Sequence, residues 1–187
     1  MSTTIYFLRH GKTAVNPNTP ISQWILSEEG LRQAATVTDN LNFQDVDVIV
    51  ASGEEKAFQT VKALAEKLGK EVVRIHELGE LDRDKGGHMG MEEYERTTQA
   101  CFVHPTESIR NWETAEHALN RFSDAVERIK AEYTDKKVLI CGHGHTFNLY
   151  FAKLLDQIDR VYERMKTNTA GDWGIVKDDK VLKDLGK

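Results

Sequence analysis

Cysteine is scarce in this chain of 187 residues, which has two, Cys101 and Cys141, far apart in sequence. They form no Cys-x-x-Cys pair, so a zinc ribbon or a dithiol redox motif is excluded, and a reducing cytoplasm is the expected compartment. Long apolar runs are absent too; none approaches the roughly 20 residues that span a bilayer, and the N-terminus lacks the basic-then-apolar pattern of a secretory leader. No membrane partner is expected. There is no basic tract, and the formal net charge is -5. Duplex binding rests on Lys and Arg neutralising phosphates, so a nucleic-acid partner is not expected either. Internal repeats, low-complexity segments and interdomain linkers are lacking. The length suits one domain, residues 1–187, able to bury about 70% of its unfolded surface. Oligomeric state is not legible.

What is present is alternation. Short β-rich runs at residues 4–8, 45–51, 71–75 and 137–141 are separated by segments of helical period. This pattern predicts an α/β fold, a three-layer α/β/α sandwich with a mostly parallel central sheet. Residues 173–177 and 180–185 read as a C-terminal edge strand or hairpin. Ser27 caps a first helix carrying Glu28 and Glu29 in its first turn, with Leu31, Ala34, Ala35, Thr38 and Leu41 as the buried stripe. Residues 54–68 form a second helix stopped by Gly69. A third begins after Thr114, and a fourth follows His143 with Phe147, Tyr150, Phe151, Leu154 and Leu155 as its apolar face. Between residues 78 and 112 the periodicity fails amid Gly86, Gly87, Gly90 and Pro105. That stretch is expected to be an inserted cap lying over the C-terminal strand ends.

The chemistry gathers where strands end. Leu8-Arg9-His10-Gly11-Lys12-Thr13 sets a cation and an imidazole in a Gly-containing turn after the first strand, which reads as a phosphate site. His143 occupies the equivalent place in Gly142-His143-Gly144. Ligands of open α/β sheets bind outside the carboxyl ends of the strands, so His10, Ser52, Glu80 and His143 are expected to meet. Arg9 and the helix N-terminus at Gly144 favour an anion, two imidazoles can attack or donate, and a carboxyl group supplies an acid.

These residues resemble the histidine phosphatase superfamily, in the branch of cofactor-dependent phosphoglycerate mutases and related phosphatases. Leu8-Arg9-His10-Gly11-Lys12-Thr13 with Asn16 is similar to its signature; Leu26-Ser27-Glu28-Glu29-Gly30-Leu31-Arg32-Gln33-Ala34, Ala51-Ser52 with Ala57-Phe58-Gln59-Thr60, and Gly142-His143-Gly144 resemble its later motifs, in order. The resemblance implies that His10 is the nucleophile, carrying the phosphoryl group as a phosphohistidine that water hydrolyses. It also implies that Arg9, His143, Gly144 and Asn16 bind that group. The acid is implied to be a glutamate after the third strand, Glu80 with Glu77 in reserve. The superfamily's other branch has an aspartate directly after the last histidine motif, where this chain has His145. No metal and no cofactor is implied, and the partner is a small phosphomonoester.

Two departures stand out. Lys56 replaces the family's second phosphate-gripping arginine, keeping the charge but losing the planar fork, and Gly53 replaces the proline after Ser52. Alternatives are therefore mutase-type phosphoryl transfer or a weakly catalytic phosphoester-binding protein; a metal-dependent hydrolase would be revealed by a chelator. Thr13, His145 at the pocket rim and His88 in the cap are candidate substrate contacts, and Trp112 and Glu113 either touch substrate or pack. His76, His104 and His117 are isolated and read as surface or packing residues. Ser52 lacks a Gly-x-Ser-x-Gly elbow, and His143 with His145 lacks the further ligand a metal would need. The acidic pairs Glu54-Glu55 and Asp178-Asp179 read as solvated surface.

Overall fold

Residues 2–186 are described by the computed structural model. Six strands, β1 (Thr4–Arg9), β2 (Val48–Ser52), β3 (Val72–Ile75), β4 (Lys137–Gly142), β5 (Trp173–Lys177) and β6 (Lys180–Lys183), form one sheet in the order β3-β2-β4-β1-β5-β6. The pairs β1–β4, β4–β2 and β2–β3 are parallel, whereas β1–β5 and β5–β6 are antiparallel. The near-continuous apolar run of β4, exposed only in part at Lys137, fits a central strand covered on both faces. β5 and β6 are joined through Asp178 and Asp179, both with positive φ (49° and 61°). Two such residues make the turn whose twist matches flanking antiparallel strands.

Helices cover both faces. Leu8, Ile49, Ala51 and Leu139 pack against α1 (Glu28–Asp39) and α2 (Glu55–Leu68). Ile5, Phe7, Val50 and Ile140 pack against α4 (Ala115–Glu132) and α5 (Gly144–Leu154). Phe7 is the hub of the second layer, its ring edge-to-face with Phe147 at 5.4 Å and Phe151 at 5.3 Å. The expected caps are present: Ser27 Oγ accepts from the Gly30 N–H and Thr114 Oγ1 from the His117 N–H, and α2 ends on left-handed Gly69. No helix among the described residues is long and apolar enough to cross a membrane.

The stripe expected on α1 is corrected. Leu31 and Leu41 are exposed (53% and 85%), Ala35 is exposed and Thr38 only half-buried, while Gly30, Ala34 and Val37 face inward. The cause is backbone packing: a Cβ at Gly30 would lie 2.1 Å from the Lys12 carbonyl oxygen and one at Gly11 would lie 2.8 Å from the Gly30 carbonyl oxygen. The loop after β1 therefore crosses α1 at two glycines, and that contact fixes the rotation of the helix. In the 78–112 stretch the structure contains a helix the periodicity does not announce, α3 (Met91–Val103), because two of its buried residues are the polar Thr97 and Thr98 beside Cys101. A short α6 (Val161–Lys166) packs against α3 and α5. Leu81, Cys101 and Trp112 join Leu149 and Val161 in a third apolar cluster under this region.

Candidate active site

The parallel register pairs Arg9 of β1 with Gly142 of β4, so the residues that follow, His10 and His143, leave the sheet side by side. Their ring centroids are 5.0 Å apart, and the His10 N–H donates to the Gly142 carbonyl at 3.0 Å. Nδ1 of His10 lies 2.7 Å from the Gly11 carbonyl oxygen. A carbonyl only accepts, so Nδ1 carries the proton and Nε2 keeps its lone pair. Burial, then the neighbouring charges of His143, Lys56 and Arg9, lower the His10 pKa to about 3 against the Gly11 bond that raises it. The imidazole is neutral at pH 7.

His143 is fully buried and its Nε2 lies 2.7 Å from Ser52 Oγ at the end of β2. Burial holds it well below the ordinary histidine value, Lys56, Arg83 and Arg121 pushing the same way and Glu80 opposing. Its Nδ1 is buried without a hydrogen-bond partner among the described residues, as is Nε of Arg9. Arg9 Nη1 donates to the Asn168 carbonyl at 2.5 Å and to Asn168 Oδ1 at 3.2 Å. A Cβ on Gly144, the first residue of α5, would meet the Arg9 guanidinium at 3.1 Å. Glycine there lets the guanidinium lie against the N-terminus of α5, two positive elements converging beside the histidines.

Lys56 is 3% exposed. Its Nζ donates to the Ile21 carbonyl at 3.0 Å and pairs with Glu54 Oε2 at 2.5 Å. Glu54 is thus not the solvated surface residue its sequence context suggested. Its side chain is 13% exposed, its Oε1 accepts the Glu80 N–H at 2.7 Å, and the same oxygen lies 3.4 Å from His143 Nε2. No sequence motif marks it; its position one turn-residue before α2, two after Ser52, is the only clue.

Glu80 reaches the same place from the loop after β3. Its carboxylate accepts from the His145 N–H at 3.1 and 3.2 Å, from the Thr146 N–H at 3.2 Å and from His145 Nδ1 at 2.9 Å, capping α5 with a side chain from elsewhere in the fold. Burial alone would raise this carboxyl, but His145, then His143 and Arg83, outweigh it and hold it well below the usual carboxylate range. Glu77 instead pairs with Arg128 at 3.0 Å on the surface.

The remaining expected contacts divide. His145 is buried, 2% exposed, behind Glu80 with Tyr94 Oη 3.3 Å from its Nε2, rather than on the pocket rim. The aromatic floor of the cap encloses it, and Trp112, 1% exposed, belongs to that floor. Asn16 is not brought to the histidines: it is exposed and its Oδ1 accepts the Asn18 N–H within its own loop. Thr13 forms an isolated bridge with Leu26, and His88 is exposed beside Trp24. Asn168 and Thr60, whose Oγ1 accepts the Gly11 N–H at 3.1 Å, are site-supporting residues the motif reading did not single out for this role. Among the described residues no three His, Cys, Asp or Glu side chains are grouped as a metal set.

Comparison with known proteins agrees with this geometry. The model of the histidine phosphatase superfamily, branch 1, matches residues 5–176. A curated relative, the uncharacterized phosphatase PhoE of Bacillus subtilis, is 30% identical over 145 residues, 76% of this chain and 72% of its own. Among solved structures, a mycobacterial glucosyl-3-phosphoglycerate phosphatase superposes with a TM-score of 0.76 at 20% identity, covering 99% of this chain and 97% of its own. A phosphoserine phosphatase mutant of Entamoeba histolytica superposes with a TM-score of 0.80 at 15% identity, covering 99% and 97%. By sequence motifs, fold and family match, this chain belongs to the histidine phosphatase superfamily, branch 1.

Proposed function

We propose that the chain hydrolyses phosphomonoesters through a phosphohistidine on His10, without a metal ion. The observation that carries this reading is the His10 imidazole itself, neutral, with Nδ1 donating to the Gly11 carbonyl and Nε2 free beside His143. Nε2 attacks phosphorus, the ester P–O bond breaks, and the leaving oxygen takes a proton from Glu80. Water then attacks the phosphohistidine, its proton goes to Glu80, and inorganic phosphate leaves with His10 restored. Arg9, His143 and the N-terminus of α5 stabilise the charge spread over the transferring oxygens.

Glu80 enters this cycle ionised, since five hydrogen bonds, from the His145 N–H to both oxygens, from the Leu81 and Thr146 N–H groups and from His145 Nδ1, stabilise the carboxylate. An arriving phosphoryl group places like charge beside it and raises its proton affinity, so the acid is loaded together with the substrate. The expected pH profile of kcat/KM falls on the alkaline side, where that proton is lost. A profile rising through neutral pH excludes Glu80 as the acid.

A second reading, a weakly catalytic phosphoester-binding protein, is favoured by one observation: Lys56 Nζ is already engaged by Glu54 and the Ile21 carbonyl. One experiment addresses both. Hydrolysis of p-nitrophenyl phosphate is measured in chelator, with acid-quench labelling, for the wild type, His10→Ala and Lys56→Arg. Turnover and label lost in His10→Ala support the hydrolase; a wild type that binds vanadate without turnover, but gains turnover in Lys56→Arg, supports the binding protein.

A further inference from the structure

A cavity of about 550 Å³ adjoins the strand-end site. Glu54 and Glu80 form part of its wall, Leu81, Arg83, Asp84 and Trp112 another part, and neither His10 nor His143 is among its lining residues. It is therefore placed to receive the alcohol portion of a phosphomonoester rather than the phosphoryl group. Its size is that of a small-metabolite site.

The ionic groups of this cavity are nearly all committed. Arg121 donates to both Glu113 carboxylate oxygens at 2.7 Å and to backbone carbonyls of Glu77, Gly79 and Glu80. Asp84 accepts from Ser22 through both oxygens, and Glu54 is paired with Lys56. Two cations, the exposed Lys85 and the partly buried Arg83, have no ionic partner among the described residues, and of these only Arg83 is fixed by burial and ring contacts. Only part of its side chain is exposed, its Nε is buried without a hydrogen-bond partner, and no carboxylate pairs with it among the described residues. What holds it is aromatic: the guanidinium carbon lies 5.4 Å from the Tyr94 ring centroid and 5.5 Å from that of Trp112.

A half-buried guanidinium stacked on two rings is oriented, yet it makes no hydrogen bond or ion pair among the described residues. Stacking uses the faces of the fork and leaves its N–H edges to meet an anion in two parallel hydrogen bonds. The charge lies close enough to Glu80, His143 and His145 to be felt by all three. We infer that Arg83 recognises a second anionic group on the substrate, a carboxylate or a second phosphoryl group carried by the alcohol portion. This rests on the phosphomonoesterase reading above and names the substrate class for the same site.

Matched substrate pairs test it. 3-Phosphoglycerate and glycerol 3-phosphate differ by a carboxylate; fructose 1,6-bisphosphate and fructose 6-phosphate differ by a phosphoryl group, so the two pairs separate the two sources of the anion. For the wild type, kcat/KM for the member of at least one pair that carries the second anionic group is expected to exceed that of the member without it by about tenfold or more, the effect of one charge-assisted contact. In Arg83→Met that ratio collapses toward one, and in Arg83→Lys, which keeps charge without the fork, it is intermediate. Calorimetric affinities of the same compounds for His10→Ala, with and without Arg83→Met, give the ratio free of turnover. A wild-type ratio near one in both pairs, or an equal fall of the members with and without the second anionic group in Arg83→Met, overturns the assignment. Failure of the hydrolase reading shows separately, as p-nitrophenyl phosphate turnover that survives His10→Ala.

Discussion

The strand-end face and the cap solve opposite problems. At the strand ends several polar groups are fixed through main-chain hydrogen bonds: His10 to the Gly11 carbonyl, Arg9 to the Asn168 carbonyl, Glu80 to two N–H groups of α5, the Gly11 N–H to Thr60. Positions set by main-chain hydrogen bonds and sheet register tolerate little displacement, which suits a reaction that depends on the placing of donors around phosphorus. The cap is built from 3-10 turns, the weakly amphipathic α3 and side-chain stacking, with Arg83 held by rings rather than by partners. A face of the first kind carries chemistry common to many substrates; a face of the second kind can change its residues without disturbing that chemistry.

The comparison can be broken most sharply at Glu80. Glu80→Gln keeps the shape but removes both the proposed proton donor and the charge at the head of α5. The fall in kcat is expected to be about 10²- to 10⁴-fold for an alkyl phosphate and smaller for p-nitrophenyl phosphate, whose leaving group needs less protonation. Equal losses on the two esters would show that Glu80 only positions α5. Next comes Gly144→Ala, which sets a methyl group against the Arg9 guanidinium. A fall of about 10²-fold in kcat/KM is expected, since displacing a positioned group by a fraction of an ångström has effects of that size, with weaker vanadate binding as the second readout.

The smallest effect is on stability. His10 and His143 stay neutral in the folded chain well below the pH at which unfolded histidine protonates, near 6.5. Below that pH the unfolded state binds more protons, so the stability contributed by these groups is present above about 6.5 and is lost as pH falls toward the folded value, about 3 for His10. Melting temperatures at pH 7 and pH 5 should differ less in His10→Ala than in the wild type. An unchanged difference would mean that the folded imidazole protonates as freely as the unfolded one.

What was legible in the sequence follows the same division. The strands, the main helices and the pairing of His10 with His143 come from local periodicity and motif, because a central parallel strand must be apolar on both faces and its C-terminal turn must carry the ligand groups. The register that makes Arg9 and Gly142 neighbours fixes the rest. Glu54 was illegible because two adjacent glutamates at the start of a helix are ordinarily solvated; only the three-dimensional meeting of Lys56, Glu80 and His143 makes one of them interior. α3 was illegible because threonines fill places where the periodicity needs aliphatic residues. Asn16 shows the reverse case, a motif position whose side chain is spent on its own turn.

The crossing of Gly11 and Gly30 has a consequence for how this chain can change. At each glycine the obstacle to a side chain is the other segment's backbone, a carbonyl oxygen at 2.8 Å or 2.1 Å, and backbone cannot be trimmed by a compensating substitution. Neither position has a neutral path away from glycine, so in a saturation library selected for activity both should stand empty of other residues. Leu31, next in the chain and half exposed to solvent, should accept nearly any of them.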